Sequence, residues 1–293
     1  MASTSNGRSS TATSAPAEPS VHAAPTFQRL TLVLPAYNEA TRIGPALDEL
    51  FGWLATPARA ALPPGIRVLV VDDGSTDRTA HLVLDRPEAA VPEDAPLRLE
   101  LLRVPHGGKG AAVRAGMLAA TGDVIVFADA DMATPPHQLP KLLAALAGGG
   151  AAENPGADVA LGSRIQPDGS DMRASQPAYR RLLGRAFHAL ASIWVVGPVQ
   201  DTQCGFKGFR RAAAREIFGH QRITSIVFDV ELIHLARRLG CSLAIVPIEW
   251  ADVRGSRMRP RLGLALRVAW DLFRIPLLHR GVRAERGFAG GRG

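Results

Sequence analysis

The chain has 293 residues, 46 % of them hydrophobic, enough for a real core in one large domain or two small ones. Its net charge of +7 is concentrated in residues 254–293, where ten arginines face only Asp271 and Glu285; this end attracts phosphates, and with only Trp270, Phe273 and Phe288 as stacking aromatics it argues against a nucleic-acid-binding protein. No run reaches the roughly 18–20 apolar residues of a membrane span; the best candidate, AFHALASIWVVGPV (186–199), is too short and contains His188.

Residues 1–27 are rich in Ser, Thr, Ala and Pro and predict a disordered tail with no apolar core of a secretory signal. A domain is expected over 28–255, followed by a basic amphipathic segment over 256–293. Within the domain, RLTLVLP (29–35) reads as a strand and ATRIGPALDELFGWLA (40–55) as a helix. IRVLVVDDGS (66–75) is a second strand, and STDRTAHLVLD (75–85) begins with Ser and Asp placed to cap a helix. LRLELLRVP (97–105), DVIVFAD (123–129) and ADVALGSR (157–164) continue the strands, with helices over 108–121 and 139–147 between them. The β-α alternation implies a mostly parallel sheet with helices on both faces. Beyond Arg164, amphipathic helices are expected over 179–194 and 228–240 and a last strand over 242–250. A helix over 262–280 places Arg267, Asp271 and Arg274 on one stripe, with Pro276 interrupting its end.

The polar motifs fall where strands end, the edge at which open α/β sheets bind ligands. PAYNEA follows the first strand, VDDGSTD ends the second, HGGKG follows the third, DAD ends the fourth and GSR the fifth. HGGKG has neither dinucleotide-fold nor P-loop spacing, which disfavours hydride transfer and ATP hydrolysis. Asp73 is placed to accept hydrogen bonds from a ribose or a base, and Lys109 to neutralise a phosphate or carboxylate. Asp129 and Asp131 repel each other unless a cation, a proton or a basic partner offsets them. They suit Mg²⁺ or Mn²⁺ held by carboxylates and substrate phosphates.

LPAYNEA, VVDDGSTD, GKGAAVRAG and DADMATPP, taken in order, resemble the family 2 glycosyltransferases. DADMATP, GSR, DTQCGFKGFR (201–210), FDVEL (228–232) and IEWADVRGSR (248–257) narrow the likeness to the dolichyl-phosphate β-glucosyltransferases and their polyprenyl-phosphate relatives. The resemblance implies the GT-A fold, a Rossmann-like, mostly parallel sheet flanked by helices. It also implies a metal-dependent, inverting transfer of glucose from UDP-glucose to a polyprenyl or dolichyl monophosphate. Pro35, Tyr37, Glu39, Asp73, Lys109, Asp129, Ala130 and Asp131 would then line the nucleotide-sugar pocket. Asp129, Asp131 and Gln203 would hold the metal, with Asp131, Arg164 and Arg257 at the reacting centre. Arg164, Arg210 and Arg257 would face donor or acceptor phosphates, where planar guanidinium groups suit oxyanions. A phosphate acceptor is already an anion at neutral pH and requires positioning rather than a general base.

Other readings stand beside this one. A GDP-mannose-dependent transferase, a family 2 enzyme with a soluble acceptor, and an inactive sugar-nucleotide binder share most of the motifs. Asp229 and Glu231 either buttress the start of their helix or take part in the acceptor site, and Asn38 is expected to form a turn. Cys204 is expected to pack beside the metal loop; with Cys241 it makes no metal or CxxC pattern, which fits a reduced, cytoplasmic chain. His106, His188 and His234 lack ligand spacing. The helices over 179–194 and 262–280 combine arginines with an apolar face, as helices lying on a cytoplasmic membrane surface do, or as ordinary core helices do.

Overall fold

A computed structural model describes residues 27–148, 156–172, 187, 191–197, 199, 201–251 and 262–283. The elements in chain order are β1 (Arg29–Ala36), α1 (Ile43–Leu54), β2 (Gly65–Asp72), α2 (Thr79–Leu84), β3 (Leu97–Arg103), α3 (Lys109–Ala119) and β4 (Val124–Phe127). There follow α4 (Leu139–Ala147), β5 (Val159–Ser163), β6 (Lys207–Arg210), α5 (Arg211–His220), α6 (Phe228–Arg238), β7 (Leu243–Pro247) and α7 (Leu262–Leu278). The tail over 1–26 and most of the helix expected over 179–194, including His188, lie outside the described residues, as do residues 252–261.

The seven strands form one sheet in the order β3-β2-β1-β4-β6-β5-β7. All run the same way except β6, which is antiparallel to both β4 and β5. The near-continuous Val, Leu and Ile of β1, β2 and β4 are buried from both sides, as a covered parallel sheet demands. Leu30, Leu32 and Leu34 of β1 face the layer made with Ile43, Leu47, Leu50 and Leu54 of α1. Each such side chain contributes roughly 1.5–3 kcal/mol when fully buried. Val33, Leu69 and Val71 face the opposite layer with Ala112, Val113 and Met117 of α3. A Cβ on Gly116 would stand 2.5 Å from Val33 Cγ1 and 2.6 Å from Val71 Cγ2, so the small-residue α3 lies closer to the sheet than a larger residue permits.

Three differences from the sequence reading have physical causes. The motif DTQCGFKGFR contains β6, a strand of four residues whose first is a lysine; no apolar run marks it, because Lys207 is buried through a partner distant in sequence. Phe27, assigned to the tail, packs into the core with the Arg210 guanidinium 6.0 Å from its ring centroid. The last helix continues through Pro276 to Leu278 rather than breaking there.

Candidate active site

The chain builds β1, β2 and β3 outward on one side and then places β4 on the other side of β1. Ligands of open α/β sheets settle at this kind of reversal, outside the carboxyl ends of the strands. The pairing geometry opens the cleft. β1 stays paired with β2 as far as Ala36 and Asp72, whereas its register with β4 ends at Val33 and Phe127. Pro35 lies beyond that last β4 pair, where its missing N–H costs no ladder bond with β4.

On the β1 side, Asn38 adopts a left-handed backbone at φ 53°. Its side-chain oxygen accepts the N–H groups of Thr76 at 2.8 Å and Asp77 at 3.3 Å, and so forms the expected turn by tying two loops together. Tyr37 stacks on His106 with ring centroids 4.1 Å apart, and both rings stay partly exposed at the cleft. Glu39 does not face the cleft freely, because both of its oxygens are held at 2.6 Å by Arg42. Arg42 in turn reaches to 3.8 Å from Asp131 Oδ2. Sequence reasoning passed over Arg42, although its i,i+3 spacing from Glu39 was the available signal.

Asp73, directly after β2, already has protein partners for its carboxylate. It is buried and takes the N–H groups of Gly107 at 2.8 Å and Gly108 at 3.0 Å, with His106 Nδ1 2.9 Å from the same carboxylate. Its work in this structure is to hold the HGGKG loop. Gly108, at φ 92°, provides the left-handed turn into α3, which a residue with a Cβ adopts only with strain. The turn delivers Lys109 to the site, with Nζ 2.5 Å from Asp129 Oδ1.

The residues after β4 form a tight turn. The Met132 N–H donates to the Asp129 carbonyl at 3.2 Å, the Ala133 N–H donates to Asp131 Oδ1 at 3.2 Å, and Met132 is left-handed at φ 50°. Ala130, between the aspartates, turns into the core. Burial and the neighbouring Asp129 charge push the Asp131 carboxyl above its ordinary range, against the pull of the Ala133 N–H, Arg42 and Lys109. Burial works against the Lys109 charge, but Asp129, Asp229 and Asp131 outweigh it and hold the ammonium above its ordinary value.

A second buried pair lies behind the first. Lys207, with no exposed surface, donates to Asp229 Oδ1 and to the Cys204 carbonyl, each at 2.5 Å, and stands 5.4 Å from the centre of the Phe127 ring. Burial pushes the Asp229 carboxyl upward, with Lys207 and Lys109 opposing it. The carboxylates of Asp129, Asp131 and Asp229 thus meet the ammonium groups of Lys109 and Lys207, while the Arg42 guanidinium at their margin is matched by Glu39. One negative charge is left over at the cleft, on the side of Asp131. Among the described residues no third His, Cys, Asp or Glu joins the two aspartates in a metal cluster. This donor set fits a hard divalent ion bound by one or two carboxylates and completed by substrate phosphates.

The remaining expected residues divide. Gln203 follows Asp201 and Thr202 in the loop before β6, and its buried Nε2 has no hydrogen-bond partner. Gly205 packs so tightly on Asp129 that a Cβ there would stand 2.3 Å from Oδ2. Arg164 is bound bidentately by Asp201 at 2.7 and 2.8 Å and lies 5.5 Å from the centre of the Trp250 ring, so it does not reach freely toward a phosphate. Arg210 corrects the sequence reading more sharply. Because β6 runs backwards, Arg210 pairs with Val124 at the start of β4, on the edge of the sheet away from Asp129. There it donates to the carbonyls of Leu146 and Ala157. Arg257 lies outside the described residues. Glu231 accepts the N–H groups of Arg222 and Ile223 at 2.8 Å each, a buttressing role. Cys204 is buried, and its thiol is pushed up to about 12 by burial and by Asp201. His234 lies with Nδ1 3.2 Å from the Val195 carbonyl and makes no contact with the paired aspartates.

The family profile described as Glycosyl transferase family 2 matches residues 31–218, which span every motif from β1 through α5. The chain belongs to glycosyl transferase family 2. A dolichyl-phosphate beta-glucosyltransferase of Drosophila melanogaster is 36 % identical over 257 residues, covering 88 % of this chain and 77 % of that protein. The Saccharomyces cerevisiae protein of the same name is 33 % identical over 261 residues, covering 85 % and 75 %. Among solved structures, glucosyl-3-phosphoglycerate synthase from Mycobacterium tuberculosis, in complex with Mn²⁺, UDP and glucosyl-3-phosphoglycerate, superposes with a TM-score of 0.55 at 22 % identity. That likeness covers 88 % of this chain and 82 % of the other, and it establishes the fold of this family 2 chain as that of a GT-A glycosyltransferase.

Proposed function

We propose that this glycosyltransferase moves glucose from UDP-glucose to a dolichyl or polyprenyl monophosphate, with inversion, using Mg²⁺ or Mn²⁺. The observation that carries the reading is the Asp129–Asp131 turn facing Lys109 and Arg42 across the β1/β4 cleft. Curated relatives at 32–36 % identity that are named dolichyl-phosphate beta-glucosyltransferase support the sugar and the acceptor. Asp129 and Asp131 would hold the divalent ion, which when bound would supply positive charge to the leaving diphosphate. The unpartnered Nε2 of Gln203 is a hydrogen-bond donor and suits a substrate phosphate oxygen; a metal position there would use the side-chain oxygen instead.

The chain's own residues prepare that chemistry. Lys109 and Arg42 flank the aspartates and supply positive charge to the departing diphosphate, already in place before the reaction begins. Asp73 fixes the loop that carries Lys109, and Glu39 fixes Arg42. Tyr37 and His106 offer a flat apolar surface to the nucleoside.

Among the described residues, Asp131 is the one cleft carboxylate without a close cationic partner, and it is assigned to the metal. Asp129 is held by Lys109, Asp229 by Lys207, Glu39 by Arg42 and Glu231 by backbone N–H groups. This suits an acceptor that arrives already ionised, as a phosphate monoester does, better than a sugar hydroxyl that must lose a proton. Among the described residues no helix is long and apolar enough to cross a membrane. A lipid-linked acceptor then calls for attachment at the membrane surface, on the cytoplasmic face where nucleotide sugars are available.

The test is to incubate the protein with Mg²⁺, a polyprenyl phosphate and labelled UDP-glucose or GDP-mannose. Label entering the lipid phase from UDP-glucose is expected. Label from GDP-mannose alone refutes the sugar, and transfer only to a soluble alcohol refutes the acceptor. Asp131→Asn is expected to remove metal-dependent turnover at an unchanged melting temperature; full activity in that variant refutes the metal role.

A further inference from the structure

The last helix turns its acid inward and part of its apolar surface outward. Its acidic residue, Asp271, points inward and accepts a hydrogen bond from Ser225 Oγ at 2.6 Å, while Leu272 and Ile275 pack in the core. The outward side carries Leu266, Trp270, Phe273 and Leu277, which are 65, 60, 47 and 55 % exposed. Their spacing of four, three and four residues puts them on one straight ridge along α7. Trp194 extends it. Its ring stacks on Phe273 at 5.8 Å and its indole N–H donates to the Phe273 carbonyl at 3.3 Å, while Trp270 also stacks on Phe273, at 6.0 Å. Contiguous exposed apolar surface of this kind marks a binding face rather than ordinary solvent-facing helix.

Charge chooses the occupant. Between residues 262 and 283 the basic residues are Arg267, Arg274, Arg280 and Arg283, and the single acid is the inward-turned Asp271. On a helical wheel Arg267 falls beside the ridge, so its apolar stem extends it and its charged end lies at its margin, whereas the neighbouring Arg274 turns back to Asp271, with Nε 3.3 Å from Oδ1. Tryptophans on an apolar ridge bordered by arginines suit the boundary between acyl chains and anionic headgroups. We propose that the outward face of α7, together with Trp194, is the surface by which this protein settles on an anionic lipid bilayer.

The same helix is tied to the catalytic loop. Asp271 holds Ser225, and His279 Nε2 lies 2.7 Å from Glu231, whose carboxylate also holds the N–H groups of Arg222 and Ile223. The neighbouring Thr224 carbonyl accepts the Gly110 N–H, and Gln221 Nε2 donates to the Gly110 carbonyl. A Cβ on Gly110 would stand 2.9 Å from the Thr224 oxygen, so this loop and the start of α3 are in close backbone contact. Arg238 of α6 closes the far end by donating to the carbonyls of Arg280 and Val282. A bilayer bound to α7 is thereby held in a defined orientation to Lys109. The purpose of this docking rests on the lipid-acceptor reading, while the docking is measurable without it.

The experiment is cosedimentation of the full chain with phosphatidylcholine vesicles, with and without phosphatidylglycerol. Wild-type protein is expected to bind the anionic vesicles at least tenfold more tightly than the neutral ones. Trp270→Ser combined with Phe273→Ser and Leu277→Ser is expected to weaken that binding at least tenfold at an unchanged melting temperature, because these side chains support no core. Arg267→Gln with Arg280→Gln should flatten its salt dependence. Equal vesicle binding by wild type and the triple variant overturns the proposal. So does a wild-type dimer that the triple variant dissolves in the absence of any vesicle binding. Transfer to a short-chain prenyl phosphate in detergent separates the two readings. No transfer, with ridge-dependent vesicle binding retained, refutes the lipid acceptor and upholds the docking face; transfer with ridge-independent vesicle binding does the reverse.

Discussion

Replacing Gly205 with alanine adds a methyl group where the structure has placed the Asp129 carboxylate. The new carbon would lie 2.3 Å from Oδ2 and 2.6 Å from both Cγ and Oδ1. Non-bonded carbon contacts relax only near 3.5 Å, so the carboxylate must retreat by about 1 Å. Asp129 has a short side chain and is held by Lys109 at 2.5 Å, so its retreat also displaces the ammonium. A misplacement of about 1 Å at a reacting centre costs on the order of 10²-fold in rate, or about 2.7 kcal/mol of transition-state stabilisation. Gly219→Ala is the control: nothing lies within 4 Å of the added methyl, and the site is an exposed helical position where alanine is favoured by about 1 kcal/mol. Steady-state transfer with UDP-glucose and a polyprenyl phosphate, followed as a function of Mn²⁺ concentration, reads the effect. The expected result is a roughly 100-fold lower kcat with weakened metal dependence in Gly205→Ala, and wild-type kinetics in Gly219→Ala. Activity of Gly205→Ala within about threefold of wild type, at an unchanged metal requirement, would refute the placement of Asp129 at the reacting centre.

Further expectations follow from the buried charges and thiols. Asp229→Ala leaves Lys207 buried without its counter-charge, a loss of about 3–5 kcal/mol, and thermal unfolding should show Tm falling by at least about 6 °C; an unchanged Tm would show that the pair is dispensable. Arg210→Ala should lower stability by about 1–3 kcal/mol through its bonds to the Leu146 and Ala157 carbonyls, while acceptor KM stays within about twofold. A raised acceptor KM at unchanged stability would return Arg210 to the phosphate site. The Cys204 and Cys241 thiols are each pushed up to about 12, mainly by burial, so at pH 8 only about one molecule in 10⁴ carries either thiolate. The native protein should therefore leave a chromogenic disulfide reagent unreacted, with reactivity rising as pH approaches that value and both thiols titrating after unfolding. Rapid stoichiometric labelling of the native protein at pH 8 would contradict that burial.

The β-α alternation and the placing of PAYNEA, VDDGSTD, HGGKG and DAD at strand ends were legible in the sequence because they are local. An apolar run, a capping residue or a left-handed glycine acts on its immediate neighbours, and the ordered motifs carry the family. The partners of the charged side chains were not legible, because each is chosen across the fold. Asp73 is taken by Gly107 and Gly108, Arg164 by Asp201 and Lys207 by Asp229, and every one of these pairs joins separate elements or loops. Arg210 shows the same principle through topology. Its motif pointed to phosphate, but a short reversed strand carries it to the opposite edge, and no periodicity in four residues reveals a strand's direction. In α7 the residues themselves allowed a polar stripe through Arg267, Asp271 and Arg274. The tertiary structure turned Asp271 inward to Ser225 and left Trp270 and Phe273 outside, because a helix that is apolar nearly all round takes its inner face from the surface it packs against.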